Sequence, residues 1–197
     1  MLEPEKHLHE NAPRLGNRFT RFIGRLIVRS MGYDIKGKFP DEDKLILIVA
    51  PHTSNWDLFL AIGTILSLGV RMNFMMKKEA FRFPVKSCFI RLGGIPIERG
   101  SPQKVVKRTL RSFQERDKLW LAILPEGTRK PVKSWKSGFV RIAYKADVPI
   151  FIMGLDHPNK LLILDKMVKA SPDPLVQAEE LRLYCKDKFS GMNPKNH

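Results

Sequence analysis

Short apolar runs that alternate with helix-like stretches constrain the fold of this 197-residue chain more than any other feature. The runs have the length of strands and lack polar alternation, which is typical of strands buried on both faces of a parallel sheet. The predicted strands are 44–50, 72–76, 93–97, 119–124, 148–154 and 160–165, and the predicted helices are 55–68, 78–91, 102–116, 136–146 and 174–189. We therefore expect an α/β fold, a mainly parallel sheet flanked by helices, in a single domain that spans residues 1–197. The segment 155–166 is expected to add an edge strand.

A predicted amphipathic helix occupies residues 13–31, after a tail of residues 1–12 that is expected to be loose. On a helical wheel one face of this helix carries Arg14, Arg18, Arg21, Arg25 and Arg29, and the opposite face carries Leu15, Phe19, Phe22, Ile23 and Leu26. A basic face without acidic residues, opposite an aromatic face, favours a helix that lies in a membrane interface. The alternative is a surface helix that packs its apolar face onto the rest of the domain.

The charge balance of the chain is strongly basic, with 35 Lys and Arg against 20 Asp and Glu, a formal net charge of +15. Such a balance predicts a polyanionic partner: nucleic acid, an anionic membrane surface or a phosphorylated substrate. The charged start of the chain does not resemble a secretory signal, and the apolar run 58–70 is too short to cross a bilayer. We therefore expect a peripheral membrane protein on the cytoplasmic face.

The cysteine and histidine content predicts neither a disulfide framework nor a metal site. The two cysteines, Cys88 and Cys185, lie in ordinary apolar patterns, which favours a reducing compartment. The five histidines have no spacing that would form a coherent set of metal ligands.

His52 and Asp57 follow the predicted strand 44–50 in the stretch PHTSNWD. A histidine in the loop after a strand can be met by an aspartate from the first turn of the next helix. The imidazole can then take a proton from a hydroxyl group, while the carboxylate holds the ring tautomer. The alternative is that His52 is an ordinary loop residue and that Ser54, Asn55 or Asp57 only begins the helix. The spacing alone does not decide between the two.

A second polar stretch, LPEGTR at 124–129, comes directly after the predicted strand 119–124. Open α/β sheets place their ligands at the carboxyl ends of strands. Gly127 allows the backbone to approach a ligand, and Arg129 offers a planar set of donors that suits a phosphate. Glu126 can orient that arginine or a substrate hydroxyl. The alternative is a tight turn with a solvated charge pair.

A third stretch, GGIPIERG at 93–100, ends in Arg99 just before a helix that begins at Pro102. The arginine and the helix N terminus are expected at the same edge of the sheet as LPEGTR, where together they suit an anion. Lys104, in the first turn of that helix, can add charge. The other basic residues of the helix are better explained as a solvated face: Lys107, Arg108 and Arg111.

Taken in order, the stretches PHTSNWD, KKEAFRFP with GGIPIER, LPEGTR and VPIFIMG resemble the four sequence blocks of the glycerophosphate and lysophosphatidic acid acyltransferase family. The resemblance covers about residues 44–155. It implies that His52 is a general base and Asp57 its partner. It also implies that the acyl acceptor and its phosphate are bound by Arg99, Glu126, Gly127, Thr128 and Arg129, with Lys104 as a further candidate.

The resemblance implies an enzyme of phospholipid biosynthesis. It would move a fatty acyl chain from acyl-CoA or acyl carrier protein to the free hydroxyl of a lysophospholipid, with 1-acylglycerol 3-phosphate as the first candidate. Apart from the acyl donor as co-substrate, no cofactor is expected. Two other functions stay open: a thioesterase that uses the same site, and a module that binds an anionic membrane or nucleic acid without catalysis. The aromatic residues lie mostly within apolar runs rather than among basic residues, so nucleic acid is not the expected partner.

Overall fold

A computed structural model, which describes residues 3–97 and 100–193, contains one seven-stranded sheet. Its strands in chain order are β1 (Asp34–Gly37), β2 (Lys44–Ala50), β3 (Asn73–Lys77), β4 (Gly94–Ile97), β5 (Leu119–Ile123), β6 (Ile150–Asp156) and β7 (Leu161–Val168). They lie in the order β1-β7-β6-β2-β5-β3-β4. Every neighbouring pair is parallel except β6 and β7. The expectation of an α/β fold with a mainly parallel sheet is confirmed.

Helices cover both faces of this sheet. They are α1 (Pro4–His7), α2 (Arg18–Ser30), α3 (Trp56–Leu68), α4 (Lys86–Arg91), α5 (Pro102–Glu115), α6 (Gly138–Ala146) and α7 (Pro174–Lys188), with a 3-10 turn at Lys78–Ala80. Buried side chains form one core between the sheet and α2 and α3, and a second core between the sheet and α5, α6 and α7. Strands buried on both faces explain why the apolar runs show no alternation.

The centre of the sheet brings two loops of the chain together. Strand β2 pairs with β5 on one side, where Ile48 lies opposite Ile123. On the other side it pairs with β6, where Ala50 lies opposite Gly154. The carboxyl ends of these parallel strands therefore reach the same edge of the sheet. The loops that follow β2 and β5, which carry PHTSNWD and LPEGTR, meet there.

Three local predictions were wrong, and one strand was not predicted. The predicted helix 78–91 is instead a 3-10 turn and the short helix α4, because proline at position 84 cannot donate the backbone hydrogen bond that a continuous helix needs. Strand β1 was not predicted, since its four residues are mostly exposed and too few to show a pattern. Strand β7 lies between β1 and β6 rather than at the edge. The N-terminal tail is packed, with Leu8 and Ala12 buried in the core.

Helix α2 lies within the predicted segment 13–31, but it begins at Arg18. Asn17 caps it by accepting a hydrogen bond from the Thr20 backbone N–H. The helix packs against α3 through Gly24, where a side chain would meet the backbone of Ser67 at 2.2 Å.

The aromatic face of α2 is not packed against the rest of the chain. Phe19 is 68% exposed, Phe22 is 56% exposed and Leu26 is 48% exposed. On the arginine side, the Nε atoms of Arg21 and Arg25 are buried. Among the described residues, no helix has the length and apolar character needed to cross a bilayer.

Candidate active site

His52 and Asp57 contact each other at the carboxyl end of β2. The imidazole Nδ1 donates a hydrogen bond to Asp57 Oδ2 at 3.1 Å. The same oxygen accepts the backbone N–H groups of Thr53 at 2.8 Å and Ser54 at 2.9 Å. These bonds arise because Asp57 lies in the first turn of α3 and its carboxylate reaches back over the loop that precedes the helix. The pair is thus fixed by local backbone geometry as well as by its own contact.

The contact determines which nitrogen of His52 carries the proton in the neutral ring. A carboxylate can only accept hydrogen bonds, so Nδ1 holds the proton and Nε2 keeps its lone pair. Asp57 is buried, with 6% of its side chain exposed, whereas 16% of the His52 side chain is exposed. A neutral imidazole in this tautomer can accept a proton at Nε2 from a bound hydroxyl group.

Glu126 supports His52 from the loop that follows the neighbouring strand β5. Its Oε2 accepts the backbone N–H of His52 at 3.0 Å. Burial raises the pKa of Glu126 to about 7, and the hydrogen bond from His52 only partly opposes that increase. Through its hydrogen bond, Glu126 links the LPEGTR turn to the loop that carries the histidine.

The LPEGTR turn folds back on itself at Gly127, which has a φ of 65°. Only glycine adopts this left-handed conformation without strain. The Lys136 backbone N–H donates to the Pro125 carbonyl at 3.1 Å, and the Lys136 Nζ lies 3.2 Å from where a Cβ on Gly127 would be. A lysine nine positions after Gly127 is thereby placed beside the turn. Sequence patterns gave no signal for it, because Lys136 belongs to no motif.

A cavity of about 1720 Å³ opens at these residues and is lined by His52, Asp57, Gly127, Thr128, Arg129 and Lys136 among others. On the α3 side of the sheet its wall is apolar and includes Phe39, Ile65, Val70, Met72 and Met153. Strands β3 and β5 pair at two positions, Asn73 with Leu121 and Phe74 with Ala122. Towards their carboxyl ends, after these pairs, both strands line the cavity. The cavity therefore reaches both faces of the sheet.

On the other face of the sheet the cavity is bordered by α5 and α6. Four basic side chains line this part: Lys107, Arg111, Arg141 and Lys145. All four are exposed, and Arg111 forms an ion pair with Glu115 at 2.6 Å. Lys107 and Arg111 were interpreted from the sequence as a solvated helix face. They are solvated, and they also border the cavity.

The structure brings together most of the predicted site residues that it describes. His52, Asp57, Gly127, Thr128 and Arg129 line one cavity, and Glu126 contacts the backbone of His52. Lys104 is exposed and is not among the residues that line the cavity. Arg99 lies outside the described residues. Within residues 3–97 and 100–193, no group of three His, Cys, Asp or Glu side chains is placed to hold a metal ion.

Neither cysteine lines the cavity that contains His52 and Asp57. Cys185 is buried on α7, and burial raises the pKa of its thiol to about 12. A thiol with such a pKa is not a nucleophile near neutral pH. Cys88 is exposed and does not line the cavity.

Comparison with known proteins defines the class to which this fold and site belong. A family model described as Acyltransferase matches residues 21–155, which is more than half of the chain. The chain therefore belongs to this acyltransferase family, as the four sequence blocks predicted.

Individual relatives within the family carry a more particular name. The chain is 31% identical over 132 residues to the 1-acyl-sn-glycerol-3-phosphate acyltransferase of Streptococcus pneumoniae, a match that covers 66% of this chain and 48% of the relative. It is 27% identical over 139 residues to the Pseudomonas aeruginosa protein of the same name, covering 68% of this chain and 52% of the relative. The chain thus matches about half the length of these curated relatives.

A solved structure shows that the fold is shared. The crystal structure of the 1-acyl-sn-glycerophosphate acyltransferase PlsC from Thermotoga maritima superposes with a TM-score of 0.61 at 19% identity, covering 86% of this chain and 75% of that one. At this identity the likeness concerns the fold alone.

Proposed function

We propose that this protein transfers a fatty acyl chain from a thioester to the free hydroxyl of a lysophospholipid, with 1-acylglycerol 3-phosphate as the acceptor. One observation carries the proposal: a histidine oriented by a buried aspartate lines a large, partly apolar cavity that basic side chains also border. The names of the relatives support the same acceptor.

In the proposed mechanism, His52 acts as a general base. Its Nε2 takes the proton from the acceptor hydroxyl while that oxygen attacks the thioester carbonyl carbon. Asp57 holds the ring through Nδ1 and stabilises the imidazolium that forms. The carbon–sulfur bond then breaks, the proton passes from the imidazolium to the departing thiolate, and the products are an ester and a free thiol. The protein forms no covalent intermediate in this scheme.

The acceptor phosphate is proposed to bind beside the LPEGTR turn. Arg129 and Lys136 both line the cavity near Gly127, and neither has an acidic partner among the contacts of the described residues. A guanidinium group can give two parallel hydrogen bonds to a phosphate, and a lysine adds a compact positive charge. Arg99 remains a prediction from the resemblance for this role, and Lys104 remains a prediction from its position in the first turn of α5.

Acyl-CoA is the proposed donor. Its acyl chain suits the apolar wall on the α3 side, and the phosphate groups of coenzyme A suit the basic border formed by α5 and α6. The thioester, between these two parts, would then lie near His52. Acyl carrier protein is the alternative donor, since an acidic protein surface could meet the same basic side chains.

A peripheral position on a membrane, at its cytoplasmic face, is also proposed. Besides the exposed aromatic residues of α2, Trp56 (58% exposed) and Phe59 (53% exposed) are exposed in the first turns of α3. Helices α2 and α3 pack against each other, and α3 also carries Asp57. An apolar surface flanked by arginines suits an anionic bilayer, and this arrangement would bring the site close to a lipid substrate.

A thioesterase that uses the same site is the second candidate, because His52 could equally activate a water molecule. The test measures thiol release from palmitoyl-CoA with and without lysophosphatidic acid, for the wild type and for His52→Ala. Release that needs both the acceptor and His52 supports the acyltransferase. Release without an acceptor supports the thioesterase. The absence of release from palmitoyl-CoA and from palmitoyl-acyl carrier protein, with any lysolipid, would contradict both.

A non-enzymatic module that binds an anionic membrane or nucleic acid is the remaining alternative. It predicts binding to vesicles or to transfer RNA that does not depend on His52 and is accompanied by no thiol release. A filter-binding assay with transfer RNA beside a lipid overlay separates these partners.

A further inference from the structure

The last described residues of the chain, 189–193, cover the loop that carries His52. This segment, here called the C-terminal brace, follows α7 and continues along the carboxyl end of β6. The Ser190 backbone N–H donates to the Leu155 carbonyl at 2.9 Å, and the His157 backbone N–H donates to the Ser190 carbonyl at 2.8 Å. Its backbone is thus held in place by the central sheet.

A buried aromatic side chain fixes the beginning of the brace. Phe189 is 1% exposed and lies over Gly154 of β6. A Cβ on Gly154 would lie 2.2 Å from the phenylalanine ring, so the ring occupies the space that any larger residue would need. The path of the brace across the end of β6 is therefore determined by close packing.

The brace then makes close contact with both neighbours of His52. Gly191 is buried, and a Cβ added there would lie 2.5 Å from Thr53 Cγ2, 2.6 Å from Thr53 Oγ1 and 3.1 Å from Pro51 Cγ. Two positions on, the Asn193 backbone N–H donates to Thr53 Oγ1 at 3.1 Å. Position 191 has no room for a side chain unless the Thr53 side chain or the loop that carries it moves.

Thr53 connects this contact to the catalytic pair. It is 4% exposed, and its backbone N–H donates to Asp57 Oδ2 at 2.8 Å, the same oxygen that accepts from His52 Nδ1. A displacement of Thr53 would therefore move a donor of Asp57 and the residue next to His52 at the same time.

We infer that the C-terminal brace is a positioning element for His52 and that Gly191 and Thr53 are its positioning residues. The inference rests on the proposed role of His52 as a general base. The brace lies outside residues 21–155, to which the family model matches. Activity therefore depends on a segment of the chain that the family motifs do not include.

The first test enlarges Gly191 by substitution with alanine and then valine. Because a shift of about 1 Å at a reacting group can cost roughly 100-fold in rate, we expect kcat to fall between about 10-fold and 100-fold for Gly191→Ala, and further for Gly191→Val. The KM values for donor and acceptor should change little, since residues 189–193 and Thr53 are not among those that line the cavity. Gly100→Ala is the matched control, because a Cβ at Gly100 meets no atom within 4 Å.

A second variant separates positioning from a general loss of stability. Thr53→Ser removes the methyl carbon that lies nearest to a Cβ at position 191 and keeps the hydroxyl that accepts from Asn193. Combined with Gly191→Ala, it should restore at least part of the lost kcat. If Gly191→Ala does not fold, Asn193→Pro, which removes the N–H donor to Thr53, is compared with Asn193→Ala, which keeps it.

Nitrogen NMR of the His52 ring provides a measurement that does not require turnover. In the wild type at alkaline pH the proton should be on Nδ1, and in Gly191→Ala the two tautomers should become mixed. The inference would be overturned if Gly191→Ala and Gly191→Val both fold and keep the wild-type kcat and the wild-type ring signals. It would also be overturned if Gly191→Ala loses kcat and the added Thr53→Ser restores none of it. If the wild type showed no transferase activity but Gly191→Ala still changed the tautomer, the brace would stand and the proposed function would fail.

Discussion

Glu126 Oε2 and the backbone N–H of His52 are joined by a 3.0 Å hydrogen bond across 74 positions of sequence. The bond ties the loop after β2 to the loop after β5, and it holds the backbone of the histidine whose ring contacts Asp57. The resemblance implied that Glu126 binds the acyl acceptor. Its hydrogen bond to the backbone of His52 suits support of the loop that carries this histidine.

Substitution of His52 or Asp57, the proposed catalytic pair, should lower turnover strongly. We expect His52→Ala to lose about 100-fold to 10,000-fold in kcat, since general-base catalysis typically contributes a factor of that size. Asp57→Asn should lose a comparable factor, because an amide can donate to Nδ1 and thereby favour the wrong tautomer. The measurement is initial-rate kinetics with palmitoyl-CoA and lysophosphatidic acid. Near-normal activity of either variant would exclude the proposed mechanism.

The raised pKa of Glu126 makes a prediction about stability. Its pKa in the folded protein is about 7, above the ordinary value of 4.5, so between these pH values the folded state binds more protons than the unfolded state. The free energy of unfolding should therefore fall as the pH rises from about 4.5 to about 7, by roughly 1–2 kcal/mol once partial exposure is allowed for. Urea unfolding at several pH values, with Glu126→Gln as the reference, measures this. Equal pH slopes for the two proteins would contradict the prediction.

Loss of the Arg129 side chain should weaken binding of the acceptor. Arg129→Ala is expected to raise the KM for lysophosphatidic acid by roughly 10-fold to 100-fold, as hydrogen bonds between charged groups contribute about 1.5–3 kcal/mol. Arg129→Lys should recover only part of this, because a lysine lacks the planar pair of donors. A monoacylglycerol, which has no phosphate, is the control acceptor. Its KM should be the same for all three proteins, and an equal increase for both acceptors would refute a phosphate-binding role.

The basic border formed by α5 and α6 should affect the donor. Lys107→Glu combined with Lys145→Glu is expected to raise the KM for palmitoyl-CoA about 10-fold or more, because it reverses two charges in the region proposed for the phosphates. Palmitoyl-pantetheine carries no phosphate on its pantetheine group and serves as the control donor. Arg108 lies on α5 with Lys107 but does not line the cavity. The KM of Arg108→Glu for palmitoyl-CoA should therefore stay near the wild-type value.

Membrane binding should depend on the aromatic face of α2. Phe19→Ser with Phe22→Ser is expected to reduce binding to vesicles that contain phosphatidylglycerol by at least about 10-fold, since each buried aromatic side chain contributes roughly 1.5–3 kcal/mol. The matched control is Leu175→Ser with Val176→Ser on α7, two residues that are 71% and 54% exposed. Similar losses in both double variants would show that binding is not localised to α2.

The sequence predicted the interior of the sheet well because buried strands have a local signature. The run KLILIVA is apolar at nearly every position, and β2 occupies all of it. Strand β1 has one buried residue among its four, so nothing in its sequence separates it from a loop. The antiparallel pairing of β6 with β7 was also beyond prediction, since their pairing depends on the turn at residues 157–160 rather than on the apolar pattern of either strand.

The site was predictable where its residues are close in sequence and follow strands. His52 and Asp57 are five positions apart, and a strand followed by a helix explains how they meet. Lys136 and the C-terminal brace could not be found in this way, because the folding of distant segments places them at the site. Lys104 was predicted from its position on α5, but the direction of its side chain depends on how the helix is rotated against the sheet.

The cavity lined by the carboxyl ends of β3 and β5 has a consequence for the order in which substrates bind. A single cavity reaches both faces of the sheet, and this arrangement suits an approach of the proposed donor and acceptor to His52 from different faces. In the proposed mechanism the first product does not have to leave before the second substrate enters. No acyl group is stored on the protein between two half-reactions. Double-reciprocal plots for the two substrates should therefore be intersecting lines, the pattern of a ternary complex, and not the parallel lines of a ping-pong enzyme.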